Sequence, residues 1–338
     1  MPDPARKPSR CELPPGLCPA APKPPQSPAS VTAAEAKLPA FRLLNSPELT
    51  ASVPEPPLKT SELLRVMSDS RGMVDIPQAL AQLSVDGINR GFAPPHTAGQ
   101  VLDALRNLTN HIGLLLQEKY PELAGMLPQD ISKLPLEKKM EIVRTINSVF
   151  YTALKPLPET APGDTRTFGE TLLFEHGGYC EDLTAVYIGC IELLRQGGID
   201  LPLYPVMGPG HELVGWDDRG AAAVAAKPQQ PAFYVELNTP REEGDDRPYG
   251  EVFVSPKDYE ARLQWDPARS RGYFVSLPRS AVIAGELYNR VAAFNQREEP
   301  DLVEGLAEIS CALRITKSAQ LYNILAAVQE GRGDYNGA

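Results

Sequence analysis

Residues 175–194, EHGGYCEDLTAVYIGCIELL, decide how the chain is read. Gly177 and Gly178 interrupt any regular element and allow a tight turn with close backbone approach. From Cys180 onward, Leu183, Val186, Tyr187, Ile191 and Leu194 recur at three- and four-residue spacing, which predicts a helix with one apolar face. RQGGIDLP (195–202) then stops it with a glycine pair followed by a proline. Beyond it, LPLYPVM (201–207), HELVGW (211–216) and AFYVEL (232–237) are short runs rich in aromatic and β-branched residues. GPG and a Pro/Ala-rich loop around Lys227 separate them. A helix followed by antiparallel strands predicts an α+β fold rather than a doubly wound sheet.

Upstream, Val101, Leu105, Leu108, Ile112 and Leu115, and again Ile142, Val143, Ile146, Val149 and Phe150, form helical core stripes. Before them, segments such as CPAAPKPPQSPAS (18–30) offer almost nothing to bury, so residues 1–57 are expected to be a disordered Pro-rich leader. The expected organisation is therefore this leader, a helical region over 58–155, a core over 156–270, and a helical region over 271–338.

The chain carries 43 acidic against 33 basic residues, a formal charge of −10, with no basic cluster, which argues against nucleic acid as a partner. Its apolar runs are too short to span a bilayer, and MPDPARKPSRCELPPG (1–16) lacks the apolar stretch of a secretory signal; the expected location is cytoplasmic, with no membrane partner. Cys11, Cys18, Cys180, Cys190 and Cys311 include no C-x-x-C pair and are read as free thiols. Zinc on His176, Cys180, Cys190 and His211 would lack any usual ligand spacing, and no D-x-D-x-D-G loop is present. No metal and no cofactor are expected.

One thiol stands apart. Cys180 opens a helix, where unpaired backbone N–H groups and the positive end of the macrodipole favour a thiolate. Glu181 and Asp182, in the first turn, oppose that anion, so a cationic partner is needed. His211, at the start of a strand after GPG, is the candidate, whereas His176 is read as a surface or structural residue. The imidazole in turn needs an orienting group. Glu236 on the next strand and Asn238 two residues later both qualify; Glu236 adds charge, Asn238 only a hydrogen bond. Gly178, Tyr179 and Trp216 are candidate substrate contacts, with Trp216 equally readable as a core aromatic at a strand end. Cys190 and Cys311 are read as inert core.

The run TLLFEHGGYCEDLTAVYIGCIELLRQGGIDLPLYPVMGPGHELVGWDD (171–218), followed by AFYVELNTP (232–240), resembles the transglutaminase-like superfamily of papain-like cysteine enzymes. With YFVSLPRSAVIAGELYNRVAAF (273–294) it is similar to a bacterial branch carrying tetratricopeptide-like helices after the catalytic domain. The likeness covers residues 167–338. It implies a catalytic helix packed on a small antiparallel sheet, with Cys180 as nucleophile, His211 as base and acid, and Glu236 as orienting residue. The extra residue in ELNT, compared with the family's pattern, leaves Glu236 and Asn238 both open. The chemistry implied is acyl transfer from an amide or peptide bond, ending in proteolysis, deamidation or cross-linking, with a protein or peptide as substrate. The alternative is a catalytically silent scaffold that binds a protein partner through its helical flanks or Pro-rich leader.

Overall fold

The computed structural model describes residues 75–89, 94–157, 167–208, 211–227, 229–238, 250–255, 257 and 273–287. The Pro-rich leader, Cys11, Cys18, Cys311 and the C-terminal tetratricopeptide-like segment lie outside these residues.

Four long helices are present among them: α1 (Ile76–Asn89), α2 (Ala98–Lys119), α3 (Leu136–Ala153) and α4 (Cys180–Gln196). A capping box starts α2: the Thr97 hydroxyl accepts from the Gln100 N–H at 3.2 Å, and the Gln100 side chain accepts from the Thr97 N–H at 2.8 Å. Along α2, Val101, Leu105, Leu108 and Ile112 are buried as their spacing predicts, but the stripe continues through Leu116, and Leu115 is only half-buried. Four-residue steps carry the buried face on to 116. In α3, Ile142, Val143, Ile146 and Phe150 are fully enclosed, while Val149 packs at the margin.

The strands are β1 (Lys155–Pro156), β2 (Gly177–Gly178), β3 (Leu203–Gly208), β4 (His211–Trp216), β5 (Phe233–Glu236), β6 (Glu251–Phe253) and β7 (Val275–Ser276). β1 and β2 form a short parallel pair; the other five make an antiparallel sheet in the order β6-β5-β4-β3-β7. The fold is α+β. β7 comes from beyond residue 270, within the region expected to be helical, and helix resumes over residues 281–287.

α4 differs most from its sequence pattern. The spacing predicts one apolar face, yet every residue from Asp182 to Leu194 is buried. Helices α1 and α2 cover one side while β3 and β4 cover the other, so among the described residues α4 is enclosed from opposite sides. Gly189 lets α2 come close: a Cβ there would stand 3.1 Å from Leu105 Cδ2.

Alternation along the sheet separates two faces. Val214, Trp216, Phe233, Val235 and Leu237 join the helical core, whereas Val206, Leu213, Tyr234, Phe253 and Phe274 form a smaller cluster on the opposite side. α3 is tied to the sheet's far edge by polar groups. Asn147 accepts from the Tyr187 hydroxyl at 3.0 Å and donates to the Gly250 carbonyl at 2.9 Å, and the Tyr151 hydroxyl donates to the Leu237 carbonyl at 2.8 Å.

Candidate active site

The segment before Cys180 is built for a fixed approach. A capping box at Thr167 and Glu170 starts a single helical turn, a wide turn follows over Thr171–Glu175, and His176 takes the left-handed conformation at φ 48°. β1 then holds the chain in place, with the Lys155 N–H donating to the His176 carbonyl at 2.9 Å and the Leu157 N–H to the Gly178 carbonyl at 3.0 Å. The two glycines are required by this packing: a Cβ on Gly177 would lie 2.5 Å from the Lys155 carbonyl oxygen, and one on Gly178 would lie 2.6 Å from Asp182 Cβ. Their close approaches are to the protein's own backbone and helix start.

Tyr179 is the N-cap of α4, and its N–H donates to Asp182 Oδ2 at 3.0 Å. Asp182 thus satisfies one of the orphan donors at the helix start. Cys180 follows, half-buried. Its thiol donates to Glu181 Oε2 at 3.0 Å, and Glu212, the residue after His211, lies near enough to act on it electrostatically.

His211 Nε2 donates to Glu236 Oε2 at 2.8 Å, and Glu236 is fully buried. The second carboxylate oxygen, Oε1, accepts the Asn238 N–H at 2.6 Å. The two candidate orienting residues therefore have different parts: Glu236 engages the imidazole through its side chain, and Asn238 steadies Glu236 through its backbone. β5 ends at Glu236, so Asn238 lies beyond the strand.

The electrostatics are carboxylate-rich. Burial would lower the His211 pKa, but the hydrogen bond and charge of Glu236, with Glu181 and Glu212 adding to them, raise it above the ordinary imidazole value. For Cys180, burial and then Glu181 push the thiol well above its usual range, and the backbone of Glu212 only partly offsets them. The helix end does not win here. Glu212 is pushed up to about 8, first by burial and then by Glu181, with His211 acting in the other direction.

Cys180 is thus grouped with Glu181 and Glu212, and His211 with Glu236, which by the alternation of β4 and β5 share the sheet face of Leu213 and Tyr234; Glu181 and Glu212 act electrostatically on both Cys180 and His211. Trp216 belongs to neither group: fully buried, it stacks on Phe233 with centroids 5.6 Å apart, and its indole N–H donates to Asp218 at 2.9 Å. His176 is exposed on the approach turn. Cys190 is buried on α4, where burial pushes its thiol up to about 12. The part played by Glu212 was readable in principle, because it shares the parity of Val214 and Trp216 and so places a carboxyl on the helix-facing side of β4. The Glu181 contact depends on a side-chain rotamer and leaves no trace in spacing.

Among the described residues, no group of three or more His, Cys, Asp or Glu side chains is arranged to hold a metal ion, and no helix is long and apolar enough to cross a membrane. Comparison of the chain with models of known protein families finds no match, and comparison with curated proteins finds none either.

Proposed function

We propose that the protein is a transglutaminase-like cysteine enzyme that transfers acyl groups from amide or peptide bonds of protein substrates in the cytoplasm. Cys180 is the nucleophile, His211 the proton carrier and Glu236 the residue that orients the imidazole. The observation that carries this reading is the pairing of the His211 ring with the buried carboxylate of Glu236 at 2.8 Å, with Cys180 at the start of α4 and Glu181 and Glu212 acting on both the thiol and the ring.

In the reaction the thiol proton passes to His211 Nδ1 as sulfur attacks the carbonyl carbon. The carbon–nitrogen bond then breaks, His211 returns the proton to the departing amine, and a thioester stays on Cys180. Water or a second amine attacks that thioester, giving an acid or a new amide and restoring the thiol. Glu236 fixes the ring through Nε2 and favours imidazolium as it forms.

p-Nitrophenyl acetate tests this without knowledge of the natural substrate. Intact mass should show one hydroxylamine-labile acetyl group, absent in Cys180→Ala and formed about 10²-fold more slowly in His211→Ala. Acetylation elsewhere, or at an unchanged rate without His211, would refute the reading. A second reading, a silent scaffold of the same fold, draws on one observation: the thiol of Cys180 is donated to Glu181. On that reading no acetyl-cysteine forms, and Cys180→Ala leaves partner binding intact.

A further inference from the structure

Glu181 is on the same helix turn as the nucleophile, where an acid ordinarily serves only the macrodipole. Its carboxylate is instead directed at the sulfur, with Oε2 accepting the thiol hydrogen at 3.0 Å. The charged groups acting on the thiol are Glu181 from α4 and Glu212 from β4, and both also act on His211 of β4, whose ring is paired with Glu236 of β5. Glu212 is turned toward residues 281–287, where a Cβ on Gly285 would stand 3.2 Å from its Oε1. Burial and then Glu181 push its carboxyl up to about 8, so it holds its proton more firmly than an ordinary carboxyl. Glu181 is then the carboxylate in direct contact with the sulfur.

Resting on the catalytic reading above, we propose that Glu181 is a brake on Cys180: its carboxylate competes with His211 for the thiol hydrogen and must turn away before the sulfur attacks. A substrate whose chain passes the end of α4 with a basic side chain or an amide donor would draw that carboxylate off, so nucleophile release is coupled to occupancy of the site. Glu181 is a positioning residue in this scheme, acting on the reaction only through Cys180.

The direction of the effect follows from the charge. Glu181→Gln removes the negative charge beside the sulfur and supplies an amide that can donate to a thiolate. The probe is iodoacetamide, with carboxamidomethylation of Cys180 followed by peptide mass from pH 5.5 to 10 in the full-length protein. Glu181→Gln should alkylate about tenfold faster at pH 7, with the midpoint of its profile lowered by about one pH unit. Glu181→Ala, which removes the acceptor altogether, should accelerate in the same sense, and the urea midpoints show whether each variant is folded. A profile that coincides with the native one, or a slower rate in either folded variant, overturns the brake.

The two proposals fail separately. An unchanged alkylation profile beside His211-dependent acetylation removes the brake and keeps the enzyme. Faster alkylation of Glu181→Gln with no dependence of acetylation on His211 keeps the brake and removes the enzyme.

Discussion

Glu212 shows what a single side chain does at this site. Half-buried beside Glu181, its carboxyl is pushed up to about 8, first by burial and then by that neighbour. An unfolded glutamate releases its proton near pH 4.5, so the native state holds a proton that the unfolded chain has lost. Stability from this group is therefore fully present below pH 4.5 and declines as pH rises toward 8. Glu212→Gln carries a neutral amide throughout. The stability difference between Glu212→Gln and the native protein should shift in favour of the variant by roughly 1–3 kcal/mol between pH 5 and pH 8. Urea unfolding at the two pH values measures this, and a difference that does not change with pH would show that the carboxyl titrates normally.

At the scale of elements, the Gly177–Gly178 pair fixes where α4 begins. Gly178 lies in β2 against β1, and a methyl group there would meet Asp182 Cβ at 2.6 Å and Thr171 Cγ2 at 3.1 Å. Neither atom is the tip of a flexible side chain, so the helix start itself would have to shift. Gly178→Ala should lower stability by about 1–3 kcal/mol and slow acetylation of Cys180 by a larger factor than that loss implies, because Cys180 moves with the start of α4. Urea unfolding and the acetylation rate, measured on the same preparation, check it; native values for both would mean that the turn tolerates a side chain. At the other end of α4, Gly197 and Gly198 terminate the helix, the latter at φ 99°. Arg279 then secures that end to the sheet: its guanidinium pairs with Glu192 at 2.6 Å and donates to the Leu203 carbonyl at 2.9 Å, with a further contact to the Leu201 carbonyl.

For the whole molecule, long elements with many repeats of their pattern were legible and short ones were not. The stripe Leu183, Val186, Tyr187, Ile191 and Leu194 locates α4, and LPLYPVM, HELVGW and AFYVEL locate β3, β4 and β5. β1, β2, β6 and β7 have two or three residues each, too few for alternation to register, and their pairing is decided by tertiary contacts. The burial of α4 on all sides was likewise hidden, since it depends on α1, α2 and the sheet enclosing one helix from opposite directions. Cys180, His211 and Glu236 are singled out by the sequence because each stands at an element boundary, and the structure adds the 2.8 Å pairing of His211 with Glu236. The dominance of carboxylates over the helix end could not be read from the sequence, because Glu181 might equally have faced water.

The proposed site joins the start of α4 to the His211–Glu236 pair at the ends of two strands. Its central claim is that Cys180 reacts through His211, and the pH dependence of Cys180 acetylation by p-nitrophenyl acetate tests it most directly. Since Glu236 outweighs burial and raises the imidazole pKa, His211 accepts a proton only once the pH has passed a value above 6.5. The rate should rise through an inflection above pH 6.5 in the native protein, and that inflection should vanish in His211→Ala. A rate that climbs only with ionisation of the thiol itself, above about pH 9, and does so identically with and without His211, would contradict it.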